Sequence, residues 1–199
     1  MNSKKLEILD NYNSKSYNKI YDRRYKMIQF EKFESIWNSL SEKPFFLLDY
    51  GCGTGLLWDF FILKFQNNAL NGKLRYIGID ISIGMIEIFQ DKVQTAINQG
   101  KVKDKCVHLV CCDGEYLPFR SDLFQDVFAF TSLQNLSNLD QGLNEIIRIK
   151  KKKANIAISY LRKKIAKEIL EHKLNEIFKA SRIEFLKTRS SEDWVIKIN

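Results

Sequence analysis

Proline is nearly absent from these 199 residues, with two in all, and glycine and serine nowhere gather into a linker. No internal repeat is visible either, so the chain reads as one domain, and a chain of this size buries roughly 70% of the surface its unfolded form exposes. No stretch approaches the ~20 consecutive apolar residues that span a bilayer, so no membrane insertion is expected. The N-terminal "MNSKKLEILDNYNSKSYNKIYDRRYK" has no apolar core followed by a small-residue cleavage site. Export is therefore not expected, and a cytoplasmic location is. A hydrophobic content of 45% beside 28% charged residues is that of an ordinary soluble globular protein.

Cysteine and histidine are also few. Cys52, Cys106, Cys111 and Cys112 form no CxxC pair and match no zinc spacing, because two are adjacent and Cys52 sits inside a glycine loop. They read as reduced structural thiols in a reducing compartment, and no metal is expected. His108 falls within a strand pattern and His172 within a charged helix, the places of a structural and a surface residue.

Positive charge is plentiful but uneven. Net charge is +3 over residues 1–44, −4 over 45–146 and +9 over 147–199, out of +8 for the whole chain. The densest run is Arg148 with Lys150 to Lys153, followed after the next apolar run by Arg162, Lys163 and Lys164. Such a cluster suits an anionic partner such as RNA, or is simply a solvated face.

Apolar residues at Tyr17, Ile20, Tyr21, Tyr25, Ile28, Phe33, Ile36, Trp37 and Leu40 recur at helical spacing, so residues 11–40 read as one or two amphipathic helices, stopped by Pro44. The pattern then changes. Residues 45–50, 74–80, 106–113, 125–133 and 154–161 are short continuous apolar runs, as expected of strands buried on both faces. Helical stretches at 56–66, 84–99, 139–150 and 162–181 alternate with them, with Ser82 as an N-cap and Asn71-Gly72 as a break. Strand-helix alternation specifies an α/β, doubly wound, mostly parallel sheet. The final "RIEFLKTRSSEDWVIKIN" reads as two strands around a polar turn at 190–193, an antiparallel hairpin closing one edge and making seven strands.

In open α/β sheets ligands bind beyond the carboxyl ends of the strands. Three of the runs stop on an acid: Asp49, before Gly51, Cys52, Gly53, Thr54 and Gly55; Asp80; and Asp113, before Gly114 and Glu115. A dinucleotide fingerprint would need a third glycine at Leu56, and a Walker loop would need Gly-Lys-Ser/Thr, which is absent. Asp49 beside the glycines would repel a pyrophosphate and attract an amino group.

Together, "LLDYGCGTGLL", "YIGIDIS", "CCDGEYLPF" and "FQDVFAFTSLQNL" resemble the class I S-adenosylmethionine-dependent methyltransferases, in particular the broad group with D-x-G-C-G-T-G and D-x-E-x-L-P-F motifs. The resemblance covers residues 45–150 by motif. It implies a Rossmann-like methyltransferase sheet, with residues 1–44 as a helical lid segment and 45–199 as the domain binding S-adenosyl-L-methionine. It further implies that Asp49 and the backbone of Gly51, Cys52, Gly53 and Gly55 hold the methionine portion and that Asp80 takes the ribose hydroxyls. Asp113 and Gly114 would read the adenine edge, Ile81 and Leu117 would sandwich the ring, and Thr131, Ser132 and Leu133 would lie near the sulfonium. "YDRRYKMIQFEKFE" is similar to a tyrosine-rich covering helix, which makes Tyr21 and Tyr25, with Tyr17 on the same face, substrate-facing candidates.

Gln134 and Asn135 are similar to the substrate loop of quinone-biosynthesis C-methyltransferases, and the Pro-Pro-Tyr motif of amino-directed enzymes is absent. No catalytic base is identifiable. Where related chains have Lys-Pro-Gly-Gly before the fifth strand, this one has "RIKKKKANIAIS", an atypical and strongly basic turn. A small-molecule acceptor is favoured by the loop, and RNA by the basic C-terminal third. With no inserted substrate domain, a protein partner is a further source of selectivity. A non-catalytic cofactor-binding scaffold is the reading of another class, against which the intact acids argue.

Overall fold

A computed structural model describes residues 3–13, 15–40, 44–64, 74–102, 106–179, 181–188 and 192–199, without the side chains of 3, 4, 7, 8, 11 and 15–21. Two helices, α1 (Ser3–Tyr12) and α2 (Lys15–Ser39), precede β1 (Phe46–Tyr50) and α3 (Leu56–Lys64). Then come β2 (Arg75–Asp80), α4 (Ile83–Asn98), β3 (Val107–Cys111), β4 (Phe124–Phe130), α5 (Leu139–Ile149), β5 (Lys150–Leu161), α6 (Lys167–Ile177), β6 (Ile183–Leu186) and β7 (Asp193–Ile198). The seven strands run in the order β3-β2-β1-β4-β5-β7-β6. The first five are parallel, and β7 enters antiparallel between β5 and β6. This is the doubly wound sheet with a terminal antiparallel hairpin that the sequence pattern specifies.

Continuous apolarity in the central strands has the expected cause, because each face carries its own core. On one face Leu47, Tyr76 and Phe128 meet Phe33 and Ile36 of α2, Trp58 and Phe61 of α3, and Phe89 of α4. On the other, Leu48, Val127 and Ile158 meet Leu143 and Ile146 of α5 and Leu170 and Leu174 of α6. The α3 segment "LLWDFFILK" is apolar nearly all round, and this is possible because α2 covers its outer side. Edge-to-face rings join the two: Phe60 lies 5.6 Å from Phe30 and 5.7 Å from Phe33, and Trp37 lies 5.8 Å from Phe61.

Helix starts follow local chemistry. Ser82 caps α4 by accepting from the Met85 N–H, and Asn138 caps α5 by accepting from Gln141. The N-terminal region is two helices, beginning eight residues before the apolar spacing suggests.

Three boundaries depart from expectation. The lysine run 150–153 is strand, not turn: α5 passes into β5 without a loop, and the register between β4 and β5 slips from Phe124↔Lys150 to Asp126↔Asn155, a bulge that holds Lys151 to Lys153 in solvent. The fourth strand ends at Phe130, because Thr131 turns to φ 54° and residues 133–135 form a 3₁₀ turn. Arg162–Lys164 is likewise a 3₁₀ turn, and α6 starts only at Lys167. The expected break at Asn71-Gly72, residues 65–66 of the helix expected at 56–66, and Ser190 and Ser191 of the hairpin turn lie outside the described residues. Asp193 is already in β7.

Candidate active site

Beyond the carboxyl ends of β1, β2, β3 and β4 lies a cavity. Among its lining residues are Gly51, Gly53, Asp80, Ile81, Asp113, Gly114, Thr131 and Asn135, all marked out by the sequence. A hollow lined by Asp49, Cys52 and Thr54 adjoins it, and the two share Gly51 and Gly53. Gly55 is not in the lining; it packs under the loop, where a Cβ would stand 2.5 Å from the Phe89 ring. Gly51 has φ +75°, and a Cβ there would meet Ser132 Cβ at 2.4 Å. The first glycine thus permits both the turn and the close approach of the strand-β4 loop. At Gly53, φ +52°, nothing lies within 4 Å of that position, so the backbone is open to a ligand.

The acids differ in environment. Asp80 accepts from the Gly53 N–H and the Ser82 N–H, both at 2.9 Å, which ties the glycine loop to the end of β2. Burial raises its pKa against the pull of those two amides. Asp49 is buried and accepts from the Tyr76 hydroxyl. Burial pushes it up to about 7, the Tyr76 bond working the other way and the charge of Asp80 adding to the rise. Asp113 receives the Glu115 N–H at 3.0 Å and the Lys5 ammonium at 2.5 Å. Lys5, from α1, also pairs with Glu115 at 2.9 Å; burial lowers its pKa, but the two carboxylates prevail and raise it.

The D-x-E-x-L-P-F motif is braced from behind. Glu115 accepts from the Ser137 and Asn138 N–H groups at 2.6 and 3.0 Å and so steadies the start of α5. Arg148 holds Glu145 through two bonds of 2.7 Å and donates to the carbonyls of Phe119 and Leu117. Read from sequence as part of a basic cluster, Arg148 is a brace for this loop.

The covering helices are tied to the same loops. Ser82 Oγ lies 3.2 Å from the Tyr12 carbonyl and 2.7 Å from Asn13 Oδ1, and the Gly84 N–H also reaches Asn13 Oδ1 at 3.2 Å. Tyr12, raised in pKa by burial and hydrogen-bonded to Asn135, lines the cavity with Lys5. From α2, Asp22 accepts from Thr54 of the glycine loop and pairs with Lys92 at 2.6 Å. Further along α2, Phe33 packs edge-on to Phe130 at 4.8 Å.

Gln134 is buried, with its amide donating to the Thr131 carbonyl at 2.7 Å, while Asn135 faces the cavity. Leu117 is buried in the core and Ser132 lines the cavity. Tyr25 is half-buried against the α2–α3 core and lies outside the cavity lining; the side chains of Tyr17 and Tyr21 are outside the described residues. Burial pushes the Cys112 thiol, in the cavity wall, up to about 12 and also raises Cys52 well above its ordinary value. No disulfide joins the four cysteines, and Cys111 is exposed rather than buried. His108 and His172 are both exposed.

Sequence reasoning missed Lys5, Tyr12, Tyr50 and Lys32. Tyr50 follows Asp49 and lines the cavity, with a buried hydroxyl that has no partner among the described residues. That hydroxyl sits between two glycines distant in sequence, Gly114 and Gly142, which both make room for it, since a Cβ would come within 2.2 and 3.0 Å of it.

Comparison with known proteins agrees with this geometry. Residues 48–158, more than half of the chain, match the family model described as a methyltransferase domain. An uncharacterised protein of Methanocaldococcus jannaschii is 31% identical over 138 residues, 69% of this chain and 44% of that one. The 18S rRNA (guanine-N(7))-methyltransferase bud23 of Schizosaccharomyces pombe is 30% identical over 122 residues, 61% of this chain and 39% of that one. This chain thus spans less than half the length of either relative. The structure of magnesium protoporphyrin IX methyltransferase from Synechocystis PCC 6803 with bound SAM shares the fold, with a TM-score of 0.72 at 16% identity, over 100% of this chain and 97% of that one. Family model, sheet order and loop architecture agree: the chain belongs to the methyltransferase-domain family and has the class I methyltransferase fold.

Proposed function

We propose that this chain transfers a methyl group from S-adenosyl-L-methionine to a small-molecule acceptor in the cytoplasm, with residues 1–44 acting as a lid on the domain formed by 45–199. The cavity fits the cofactor in its chemistry. Its wall carries an open glycine backbone at Gly53, acids at the ends of two neighbouring strands, and two buried hydroxyls, of Tyr50 and Ser132, without partners among the described residues. Bound there, S-adenosyl-L-methionine supplies a methyl carbon already activated on a sulfonium, so the protein's task is alignment of the acceptor.

In this reading Asp49 and the glycine loop hold the amino-acid end in the adjoining hollow, where the carboxylate meets the ammonium. Asp80 uses lone pairs left free by the Gly53 and Ser82 amides to accept from the ribose hydroxyls. Asp113 and the Gly114 backbone read the adenine edge and Ile81 packs on the ring. An amine donating to Asp113 shares that carboxylate with Lys5. The backbone of Thr131 and Ser132 borders the methyl, and Asn135 and Tyr12 face the acceptor.

The observation that carries the small-molecule reading is the placement of α1. Lys5 binds the loop after β3, Tyr12 and Asn13 bind the loop after β2, and Lys5 and Tyr12 both enter the cavity wall. A helix pinned at both ends across the mouth suits an acceptor small enough to be enclosed. Labelled methyl transfer into cell extract separated into small-molecule, RNA and protein fractions tests this. Label in the small-molecule fraction supports the proposal, and label confined to RNA or protein overturns it.

RNA is the second reading, for a specific reason. Arg162, Lys163 and Lys164 are exposed directly after β5, on the same end of the sheet as the cavity, and one relative acts on 18S rRNA. Lys150 to Lys153 lie at the other end of β5, so that run does not serve an RNA bound at the methyl site. If RNA is the acceptor, changing Lys163 and Lys164 to Ser weakens binding of a tRNA and rRNA pool and reduces its salt dependence, whereas changing Lys150 to Lys153 does neither. A protein partner that supplies selectivity fits the short segment between β5 and the terminal hairpin, which leaves no room for a substrate domain.

A further inference from the structure

We infer that Lys32 and Asp193 are positioning residues of the methyl-transfer site, acting through the backbone of Thr131. The two come from opposite ends of the chain, Lys32 from α2 and Asp193 from the first residue of β7. Their charged groups meet at 2.6 Å with each side chain only 2% exposed. Burying a pair so completely is poorly explained by stability, because desolvation offsets most of the attraction and well-packed apolar residues do as well. The pair does something further: it converges on one residue of the cavity wall.

That residue is Thr131. Its φ of 54° puts a β-branched side chain in the left-handed region, where such residues are outliers that persist only when their surroundings over-determine them. Here they do. The Thr131 N–H donates to the Ser159 carbonyl at 3.1 Å and to Ser159 Oγ at 2.9 Å. The Thr131 hydroxyl accepts from Lys32 at 2.8 Å and donates to Asp193 at 3.0 Å, and Ser159 Oγ donates to the same Asp193 oxygen at 2.9 Å. The side chain is therefore turned into the network, and what Thr131 offers the cavity is backbone.

The strained turn has consequences on both sides. It ends β4 at Phe130, two residues before Ser132, and the 3₁₀ turn that follows brings Asn135 to the cavity. Ser132 in turn occupies the space beside Gly51, where a Cβ would stand at 2.4 Å, so relaxation of Thr131 toward an ordinary φ moves Ser132 against the glycine loop. Through Lys32, α2 also senses this turn, which couples the cover to the floor of the site.

The inference rests on the reading of this cavity as the cofactor site, and the experiment separates the two. S-adenosylhomocysteine affinity and thermal midpoint are measured for the wild type, for Lys32→Met with Asp193→Leu, and for that pair with Thr131→Gly. The paired substitution removes both charges, so no buried ion is orphaned. It is expected to weaken binding by roughly tenfold to hundredfold, the factor an unsupported left-handed residue represents. Thr131→Gly, which takes positive φ without support, is expected to restore most of it. Binding unchanged in the paired variant, or a triple variant no better than the pair, overturns the inference. A thermal midpoint that falls while affinity stays constant overturns it as well, since that is a purely structural role. If the paired variant does not fold, Ser159→Ala removes the Oγ that holds the Thr131 N–H; a folded Ser159→Ala with wild-type affinity overturns the inference, and a several-fold loss that Thr131→Gly repairs supports it. A wild type that fails to bind the ligand condemns the reading of the cavity instead.

Discussion

Asp49 should make cofactor affinity depend on pH around neutrality. The residue is 3% exposed, and burial pushes its pKa up to about 7 even though Tyr76 donates to it. If only the carboxylate receives the ligand's ammonium, affinity follows the ionised fraction, which goes from about one tenth at pH 6 to about nine tenths at pH 8. Affinity for S-adenosylhomocysteine therefore rises about tenfold across that interval. Calorimetric titration at pH 6, 7 and 8 and constant ionic strength measures it, and Asp49→Asn controls for any titration of the ligand itself. The variant loses the slope and binds at pH 8 no more tightly than the wild type at pH 6. Stability moves the opposite way. With its pKa raised from 3.8 to about 7 on folding, Asp49 holds a proton in the folded state that the unfolded state has released. Its contribution to stability is thus lost as pH rises from about 4 to about 7, and Asp49→Asn should gain up to about 4 kcal/mol over the wild type above that window. A wild-type affinity flat from pH 6 to 8, or an equal slope in the variant, would refute the assignment.

Other substitutions probe the loops separately. Gly51→Ala forces a Cβ to 2.4 Å from Ser132 at φ +75°, so it should lower the thermal midpoint by about 2–4 °C per kcal/mol of strain and weaken the ligand in the same titration; a variant with wild-type values would mean the loops are not in contact. Asp80→Ala leaves the Gly53 and Ser82 amides without their acceptor, at about 1–3 kcal/mol each if they stay dry, and removes the ribose partner as well. Its affinity should fall by roughly a hundredfold or more, and normal binding would exclude the ribose role. Arg148→Met frees two carbonyls and Glu145, and should lower the thermal midpoint; an unchanged midpoint would show that the brace is dispensable.

What the sequence made legible was local. Asp49, Asp80 and Asp113 stand out because each follows an apolar run and precedes turn chemistry, and strand ends in a parallel sheet all face one edge. Ser82 is legible for a similar reason, since an N-cap needs only its own helix. Lys32 was hidden by contrast: as one of 32 Lys and Arg residues it carries no mark of its own, and only its position on the buried stripe with Gln29, Phe33 and Ile36 sets it apart. Asp193 looked like a turn residue because its partners, Thr131 and Ser159, lie far away along the chain. Lys5 was hidden likewise, its carboxylates being more than a hundred residues distant. The lysine run misled in the other direction. Four consecutive charges look like a turn, yet hydrogen bonding to β4 across a bulge makes them strand while their side chains stay in solvent.

The most direct test of the central claim is calorimetric titration of the purified chain with S-adenosylhomocysteine and, in parallel, with NAD. Saturable binding of S-adenosylhomocysteine with little or no binding of NAD is the expected result, since the acid beside the glycine loop favours an ammonium and disfavours a pyrophosphate. Tighter binding of NAD, or no binding of either, would contradict the account.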